Sequence, residues 1–312
     1  MVLENINSDI LVNENKLIAA VYMITYNQEN FIEQAIESVV NQKTDFTYKL
    51  FIGEDCSTDK TREICLSLKE KYPHKIDLIL NDTNLGIVNN AKNIFKHSLG
   101  SNAEYIALIE GDDYWTDPLK LQKQVDFMEK NPDYSIIFHK VTEVDLHGVP
   151  TDTILNSPDH EETYDIHKLA SGNFIHTPSV LFKKNFHEFP EWINISPVVD
   201  YPLHMLNAQY GLIKYLPEEM AAYRIGAGIW SSQSRIHQFV NTLFTLKLLI
   251  TYFSDQQEIK ENLSIQYNLL MKELRINDLN TASCLPEKKQ NDLSFRELTS
   301  LLVKKIKKRI RI

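Results

Sequence analysis

The sequence lacks any apolar run long enough to span a membrane. Its most apolar stretch, residues 242–253, is interrupted by Lys247 and is shorter than the roughly 20 residues that a transmembrane helix needs. The N-terminal segment MVLENINSDILVNENK has no basic start followed by an apolar block, so it does not have the pattern of a signal peptide. These two absences predict a protein that does not cross a membrane.

Cysteine and basic residues are also in short supply. Cys56, Cys65 and Cys284 form neither a disulfide framework nor the CxxC spacing of a metal site. Together with the missing signal peptide, they predict a reduced, cytoplasmic protein. The chain has 33 Lys and Arg against 42 Asp and Glu, which gives a net charge of −9. Because nucleic acid repels an acidic protein, we expect no nucleic-acid partner.

The C-terminal end is the exception to this acidic charge. Residues 304–312 contain six Lys and Arg and no acid. Just before and between these basic side chains, apolar residues recur at helical spacing, at Phe295, Leu298, Leu302, Ile306 and Ile310. The pattern predicts a basic amphipathic helix over residues 295–312 that binds the anionic inner face of the cell membrane. Packing of this helix on the acidic body of the protein is the alternative.

The first half of the chain alternates between short apolar runs and segments of helical periodicity. The periodicity is clear after the first run, where Ile32, Ala35, Ile36 and Val39 share one helical face. Continuous apolar strands joined by helices predict a mostly parallel sheet covered on both faces, and therefore an α/β fold. The predicted strands are residues 19–24, 49–53, 76–80 and 105–109.

The second half is less regular. From about residue 236 the pattern becomes helical. We therefore predict an α/β domain over residues 1–235 and a helical C-terminal region over residues 236–312. Before the helical region, the sequence predicts a strand over residues 174–182, a helix over 200–209 and a second strand over 212–216. Within the helical region, it predicts a polar linker over residues 276–292.

Polar residues follow three of the predicted strands. Thr25, Tyr26 and Asn27 follow the first strand, Glu54 and Asp55 follow the second, and an acidic segment follows the fourth. The carboxyl ends of parallel strands meet at one edge of a sheet, and ligands bind there. The three polar segments therefore predict one binding site.

The acidic segment after the fourth strand places Glu110, Asp112 and Asp113 within four positions. Like charges this close repel each other unless a cation lies among them. A site with one or two carboxylates typically binds Mg²⁺ or Mn²⁺ and takes its other ligands from substrate phosphates. The sequence therefore predicts a divalent-metal site. Helix capping is the alternative use of these acids, but it suits Thr116 and Asp117 better than Glu110 or Asp112.

Four ordered segments of the sequence resemble the family 2 glycosyltransferases. They are VYMITYNQENFIEQAIESVVNQ, GEDCSTDKTREI, NLGIVNNAKN and YIALIEGDDYWTDPLKLQKQVDFM. The resemblance runs from about Ala19 to Trp230. It implies the GT-A fold, which is a Rossmann-like, mostly parallel sheet flanked by helices. It also implies a nucleotide-sugar donor, a divalent metal and inversion at the anomeric carbon.

The resemblance further implies which residues bind the donor. Asp55 matches the acid that hydrogen-bonds the base, and Asp112 matches the main metal ligand. Glu110 stands where the family more often has Asp, which leaves direct metal ligation by Glu110 open. The matched nucleotide-binding positions are Thr25, Tyr26, Asn27, Glu54, Asp55, Asn84, Gly86, Glu110, Gly111, Asp112 and Arg224.

Asp200 matches the catalytic base of the family, an acid that opens a helix. Capping of that helix is a compatible second role, and we expect His204, one turn later, on the helix surface or behind the site. Arg224 lies in a Tyr-Arg-Gly-rich segment, where it either contacts the diphosphate or is structural. The family often has His where this chain has Gly226. The QxxRW motif of processive relatives is missing, which favours addition of one sugar per encounter.

Three residues are predicted on the acceptor side of the site. Asp113 adjoins the metal position, Trp115 is a candidate for stacking on a sugar, and His176 lies on the predicted strand 174–182. For Trp115 and His176, packing in the structure is the alternative.

The resemblance therefore implies transfer of one sugar from a nucleotide-diphosphate donor, UDP- or dTDP-linked, to a glycan or lipid-linked acceptor in cell-surface polysaccharide or glycolipid synthesis. The first alternative is a sugar-phosphate nucleotidyltransferase, although TYNQEN lacks the Gly, Lys and Arg of its phosphate loop. The second is an inactive nucleotide- or sugar-binding module, although both the metal and the base position retain an acid.

Overall fold

A nine-stranded sheet forms the centre of the molecule. The structure is a computed structural model that describes residues 16–151, 157–228, 230 and 233–284. The strand order is β3-β2-β1-β4-β8-β6-β9-β5, and β7 pairs with β9. In chain order the strands are β1 Leu17–Thr25, β2 Thr47–Glu54, β3 Ile76–Leu80, β4 Tyr105–Glu110, β5 Tyr114–Trp115, β6 Tyr134–Val144, β7 Glu162–Tyr164, β8 Leu181–Lys183 and β9 Leu212–Arg224.

Helices cover both faces of this sheet. Three short 3-10 turns, Thr177–Ser179, Glu191–Ile195 and Ala208–Tyr210, complete the second half. The α-helices of the described residues are α1 Ile32–Val40, α2 Thr61–Lys71, α3 Ile87–Gly100, α4 Lys120–Lys130, α5 Ile166–Ala170, α6 Asp200–Asn207, α7 Arg235–Tyr252 and α8 Gln257–Cys284.

The predicted α/β fold is confirmed. β1 pairs in parallel with β2 and β4, and β2 pairs in parallel with β3, so four carboxyl ends lie at one edge. The other half of the sheet is mixed. β8 is antiparallel to β4 and β6, and β9 is parallel to β6 but antiparallel to β5 and β7. The parallel arrangement therefore applies to the first half of the chain, which contains the regular β-α units.

The apolar core forms two layers, one on each side of the sheet. Side chains of a strand alternate between the two faces, so Ala20, Tyr22 and Ile24 of β1 pack with α3, whereas Val21 and Met23 pack with α1 and α2. Helices α7 and α8 also pack in the first layer, through Leu246, Leu249, Phe253, Ile259 and Leu263. No helix within the described residues is long and apolar enough to cross a membrane.

The second half departs from the sequence-based prediction in three places. The strand predicted over 174–182 is wrong, because most of it forms an extended segment and a 3-10 turn around Pro178 before β8 begins. The 11-residue strand β6 was not predicted at all. The linker prediction over 276–292 is wrong for its first part, since α8 continues to Cys284. The predicted basic helix over 295–312 lies outside the described residues.

Candidate active site

The loops that follow β1 and β2 are joined to each other by hydrogen bonds. The Asn27 side-chain oxygen accepts the Thr58 backbone N–H at 2.8 Å, and the Asn27 backbone N–H donates to Ser57 Oγ at 3.0 Å. Asn27 and Cys56 both have left-handed backbone conformations, with φ of 52° and 58°. Asn adopts this conformation more readily than most residues, because its short side chain bonds locally. These contacts hold the two loops in one arrangement at the sheet edge.

Glu54 and Asp55 have different surroundings. Glu54 is fully buried, accepts the Ser57 backbone N–H at 2.7 Å and pairs with Arg62. Its role as a nucleotide-binding residue remains a prediction, and in this structure both carboxylate oxygens are engaged with the protein. Asp55 accepts the backbone N–H groups of Leu85 and Gly86, each at 2.9 Å, and lines a cavity. Asp55 thereby fixes the loop that precedes α3.

A first cavity brings most of the predicted nucleotide-binding residues together. It has an empty volume of about 610 Å³ and lies at the carboxyl ends of β1, β2 and β4. Gly228, from the segment after β9, also lines it. Its polar walls include Thr25, Tyr26, Gln28, Asp55, Asn84 and Glu110. The polar segments after the first, second and fourth predicted strands therefore do meet at one edge of the sheet, as expected from the sequence.

The acidic loop packs tightly against the loop after β1. A Cβ atom on Gly111 would lie 2.8 Å from Thr25 Oγ1, so only glycine fits there without movement. The Gln28 side chain hydrogen-bonds the Asp112 carboxylate. Gln28 is thus a site residue that the sequence-based prediction missed, although it directly follows the Thr25-Tyr26-Asn27 segment.

The three acids of the loop repel each other and are removed from water. Burial, with the charges of Asp112 and Asp200, raises the pKa of Glu110 to about 8. Burial also raises the pKa of Asp112 to about 6, although Gln28 and Arg224 oppose this shift. The pKa of Asp113 lies well above its ordinary value for the same reasons. Such a cluster favours a nearby positive charge.

Asp112 fits the role of a metal ligand. It is 3% exposed, and its Oδ1 atom has no hydrogen-bond partner. Such an orphaned buried carboxylate oxygen is suited to a cation. No group of three His, Cys, Asp or Glu side chains within the described residues forms a complete metal cluster. The residues therefore fit a divalent ion that depends on substrate oxygens for its remaining ligands.

Arg224 hydrogen-bonds the acidic loop through both its backbone and its side chain. Its backbone N–H donates to Asp113 Oδ1 at 2.8 Å, and its Nε donates to the Asp112 carbonyl oxygen at 2.9 Å. Its terminal nitrogens donate to the carbonyl oxygens of Asp145 and Leu146 and to Gln34 Oε1. Of the two roles left open for Arg224, this arrangement supports the structural one, since the guanidinium is buried and satisfied by protein acceptors.

Asp200 lies in a second cavity that adjoins the first. Ile24, Ile87 and Glu110 line both cavities, and Asp200, Asn173 and Tyr223 line the second. Asn173 Nδ2 lies 3.4 Å from Asp200 Oδ2. Burial raises the pKa of Asp200, and the contact with Asn173 partly opposes the shift. Asn173 and Tyr223 were not predicted as site residues, although Tyr223 directly precedes Arg224 in the Tyr-Arg-Gly-rich segment.

His204 lies behind this cavity and not on the helix surface. It is fully buried, and its Nδ1 atom lies 3.3 Å from Asn173 Oδ1. Burial lowers its pKa to about 3, so the ring is neutral at physiological pH. A neutral ring at this position supports Asn173 without adding charge near Asp200.

The predicted acceptor-side residues are mostly part of the packed structure. Of the two roles left open for Trp115, the structure supports packing, because its ring is 4% exposed, donates to the Pro178 carbonyl oxygen at 2.9 Å and lies 4.1 Å from Lys120 Nζ. Asp113 is 1% exposed and bonds Arg224, so it supports the loop and does not face an acceptor. His176 lies in an extended segment, with its ring 5.4 Å from that of Tyr223.

The family is settled by a match over more than half of the chain. The sequence model described as Glycosyl transferase family 2 matches residues 20–189. This span contains most of β1, all of β2 to β4 and the acidic loop, and every lining residue of the first cavity except Ala227 and Gly228. The chain belongs to glycosyl transferase family 2. The resemblance seen in the four sequence segments is thereby confirmed.

Relatives of this glycosyltransferase family member occur in several bacteria. An uncharacterised protein of Mycobacterium tuberculosis is 37% identical over 216 residues, which are 68% of this chain and 60% of that protein. The putative teichuronic acid biosynthesis glycosyltransferase TuaG of Bacillus subtilis is 30% identical over 151 residues, 48% of this chain and 56% of that protein. The chain thus spans about 60% of the length of its mycobacterial relative.

Solved structures confirm the fold of the family member. The S. aureus protein TarS, in complex with UDP-GlcNAc, has a TM-score of 0.56 at 19% identity, over 75% of this chain and 67% of TarS. The mannosyltransferase PcManGT from Pyrobaculum calidifontis, in complex with GDP-Man and Mn²⁺, has a TM-score of 0.55 at 13% identity, over 94% of this chain and 80% of PcManGT. The predicted GT-A type of fold is therefore confirmed.

Proposed function

We propose that this chain is an inverting, metal-dependent glycosyltransferase. It transfers one sugar from a nucleotide-diphosphate donor to a hydroxyl of a glycan or lipid-linked acceptor. The observation that carries the proposal is the junction of the two cavities at Glu110. A donor whose nucleotide occupies the first cavity places its sugar beside Glu110 and Asp200 in the second.

Asp200 acts as the base in this proposal. The acceptor hydroxyl gives its proton to the Asp200 carboxylate while its oxygen attacks the anomeric carbon of the donor sugar. The bond from that carbon to the diphosphate oxygen breaks, and the nucleoside diphosphate leaves. Attack opposite to the leaving group inverts the configuration. The raised pKa of Asp200 suits this role, since it brings the carboxylate closer to neutral pH as a proton acceptor.

Asp112 holds the divalent ion in this proposal, Mn²⁺ or Mg²⁺. When bound, the ion supplies positive charge for the departing diphosphate. The orphaned Oδ1 atom of Asp112 supports this assignment, and so does the Mn²⁺ named with PcManGT. Gln28 and Arg224 are positioning residues, because they fix the carboxylate and the loop below it.

The donor and the cellular setting follow from the relatives. TarS and PcManGT are named with UDP-GlcNAc and GDP-Man, which supports a nucleotide-sugar donor, and we retain UDP- or dTDP-sugars as the first to test. TuaG is named for teichuronic acid biosynthesis, which supports cell-surface polysaccharide synthesis. An acceptor carried on lipid agrees with the predicted membrane-binding segment 295–312, and we propose a peripheral protein on the inner face of the membrane.

The alternatives have less support. A nucleotidyltransferase needs a phosphate loop with Gly, Lys or Arg after β1, whereas the chain has Tyr26 to Glu29 there. An inactive binding module needs neither Asp112 nor Asp200, whereas both are present and line or adjoin the cavities.

The test is sugar transfer in the presence and absence of metal. Activity should disappear in EDTA and return with Mn²⁺ or Mg²⁺. Asp112→Ala should lose this metal-dependent activity while its circular dichroism spectrum stays that of the wild type. Full activity of the wild type in chelator would contradict the metal assignment.

Asp200→Asn tests the base. The amide keeps the shape of the side chain but does not accept a proton, so turnover should fall by roughly two to four orders of magnitude. Binding of the nucleoside diphosphate, measured by isothermal titration, should be unchanged. The matched control is Glu218→Gln, because Glu218 is exposed on β9 outside both cavities. Wild-type turnover in Asp200→Asn would show that another acid is the base.

A further inference from the structure

The second cavity has an apolar end that the proposed reaction does not need. The cavity has an empty volume of about 1100 Å³. Its acids, Glu110 and Asp200, lie where it meets the first cavity. Beyond them the walls come from the sheet, from α3 and from α6, and most of their side chains are apolar: Leu108, Val88, Ala91, Phe95 and Leu203, together with the ring of Tyr22, whose hydroxyl is the polar exception.

Few polar groups at this end are free to bond a ligand. Tyr22 and Phe95 stack on each other with ring centroids 4.3 Å apart, which closes the wall between the sheet and α3. Two threonines of α7 line the opposite side, but Thr242 and Thr245 donate their hydroxyl protons to helix carbonyl oxygens at 2.8 and 2.9 Å. The side chains of Val88, Ala91 and Phe95 on α3 have no donor or acceptor, so a sugar hydroxyl placed against them loses bonds to water that these side chains do not replace.

The position of this apolar end points to the donor. Ile87, the first residue of α3, lines both cavities, and Val88 and Ala91 follow within one helical turn. A sugar linked to a diphosphate beside Glu110 thus reaches α3 with one of its substituents, while Asp200 faces it from α6. The acceptor enters on the Asp200 side.

We propose that the apolar end receives an apolar substituent of the donor sugar, which rests on the proposed function of this site. The chemical class is a hexose with an additional methyl group: a 6-deoxy sugar, which has a methyl group in place of the hydroxymethyl group, or an N-acetylamino sugar, which has an acetamido group in place of a hydroxyl. Val88 and Ala91 are the specificity-determining residues. An unsubstituted hexose binds less tightly, because its hydroxyl finds no partner there.

The experiment compares matched donors with Mn²⁺ present. The pairs are UDP-N-acetylglucosamine against UDP-glucose, and dTDP-6-deoxyglucose against dTDP-glucose. For at least one pair, the methyl-bearing donor should bind about 10- to 200-fold more tightly in isothermal titration, which is the usual discrimination of an apolar pocket. The two pairs distinguish the acetamido from the deoxy source of the methyl group.

Val88→Thr then tests the wall itself. Threonine has nearly the shape of valine but adds a hydroxyl, so the preference for the methyl-bearing donor should fall by about tenfold or more. Ala91→Ser is the second variant, in case the first does not fold. Val149→Thr is the matched control, because Val149 is 58% exposed and lines neither cavity. Binding of the free nucleoside diphosphate should be equal in all of these proteins.

The outcomes separate the two proposals. Failure of every nucleoside diphosphate and donor to bind would overturn the proposed function, and this inference with it. Binding and transfer of donors with no preference for the methyl-bearing member of either pair would overturn the inference alone. A preference that both α3 variants leave unchanged would also overturn it, since the walls named here would then not set the specificity.

Discussion

Asp200 shows how one contact adjusts a buried carboxylate. Burial favours the protonated form and raises the pKa of Asp200, whereas the Asn173 amide stabilises the charged form and lowers it. Asn173 is held in turn by its contact with His204. The pKa of the proposed base thus depends on its burial, on backbone N–H groups at the start of α6 and, to a smaller extent, on an amide from a distant segment of the chain.

Asn173→Ala should shift the pH dependence of the reaction. The base works only when deprotonated, so activity is lost as the pH falls through the pKa of Asp200. Removal of the amide raises that pKa further, and the acid limb of the kcat profile should move to higher pH. The measurement is kcat from about pH 5 to pH 9. This range lies above the ordinary Asp pKa of about 3.9, so an acid limb within it reports a raised pKa.

Asn102→Ala is the control for this shift, because Asn102 is an exposed amide outside both cavities. Its acid limb should coincide with that of the wild type. If Asn173→Ala lowers kcat equally at every pH without moving the limb, Asn173 positions the site but does not adjust the pKa of Asp200.

At the scale of the elements, the acidic loop is placed by close packing on one side and by hydrogen bonds on the other. The loop after β4 approaches the loop after β1 so closely that Gly111 has no room for a side chain. On its other side, the loop is joined to the end of β9 by Arg224. Three elements therefore determine where the Asp112 carboxylate points.

Gly111→Ala should displace this loop without unfolding the protein. The new Cβ would meet Thr25 Oγ1 at 2.8 Å, so the loop or Thr25 must move. We expect the Mn²⁺-dependent affinity for nucleoside diphosphate to fall by tenfold or more, on the order of the losses seen when supporting residues of metal sites are changed. Isothermal titration measures this affinity.

Gly100→Ala is the matched control, since a Cβ on Gly100 meets no atom within 4 Å. Its nucleotide affinity should equal that of the wild type. Equal affinities for Gly111→Ala and Gly100→Ala would show that the close approach at Gly111 does not matter for binding.

For the whole molecule, the buried acids link stability to pH and to metal. The pKa of Glu110 is raised to about 8, so the folded protein retains a proton that the unfolded chain releases near pH 4. Stability from this group is present at low pH and is lost as the pH rises through about 8. Buried His204 has the opposite effect on stability. Below its ordinary pKa of about 6.5 the unfolded chain binds a proton that the buried ring does not, so stability falls as the pH falls.

Mn²⁺ should therefore stabilise the protein more at pH 8 than at pH 6.5. At the higher pH the carboxylates are closer to full charge, and a bound cation removes more repulsion. Thermal unfolding with and without Mn²⁺ at the two pH values measures this difference. Asp112→Ala should abolish it, and an equal Mn²⁺ shift in wild type and Asp112→Ala would contradict the site.

The predicted segment 295–312 adds a test of membrane binding. Each basic residue near an anionic surface contributes about 1 kcal/mol, and salt weakens the attraction. The full chain should float with anionic liposomes at low salt, whereas a chain that ends at Asp292 should not. Neutral liposomes are the control. Equal binding of both chains, or of neither, would remove this segment from membrane attachment.

The α/β order of the first half, and the sheet edge that carries the site, could be predicted from the sequence. Apolar runs and helical periodicity are local properties, and polar residues after parallel strands must meet at one edge. That local logic placed Asp55 and Asp112 at or beside the cavities, whereas Asp200 was identified through the family resemblance. It also failed where strands pair antiparallel across long connections, as for β6 and β8.

Which side chains of each segment face the cavities could be seen only in the folded structure. Glu54 and Asp55 are neighbours, yet the Glu54 carboxylate is buried and pairs with Arg62, whereas Asp55 lines a cavity. Likewise, Trp115 is packed by Lys120 and Pro178, and Asn173 reaches Asp200 from a segment without a motif. These outcomes depend on contacts between distant parts of the chain, because burial and hydrogen-bond partners are set by packing and not by local sequence.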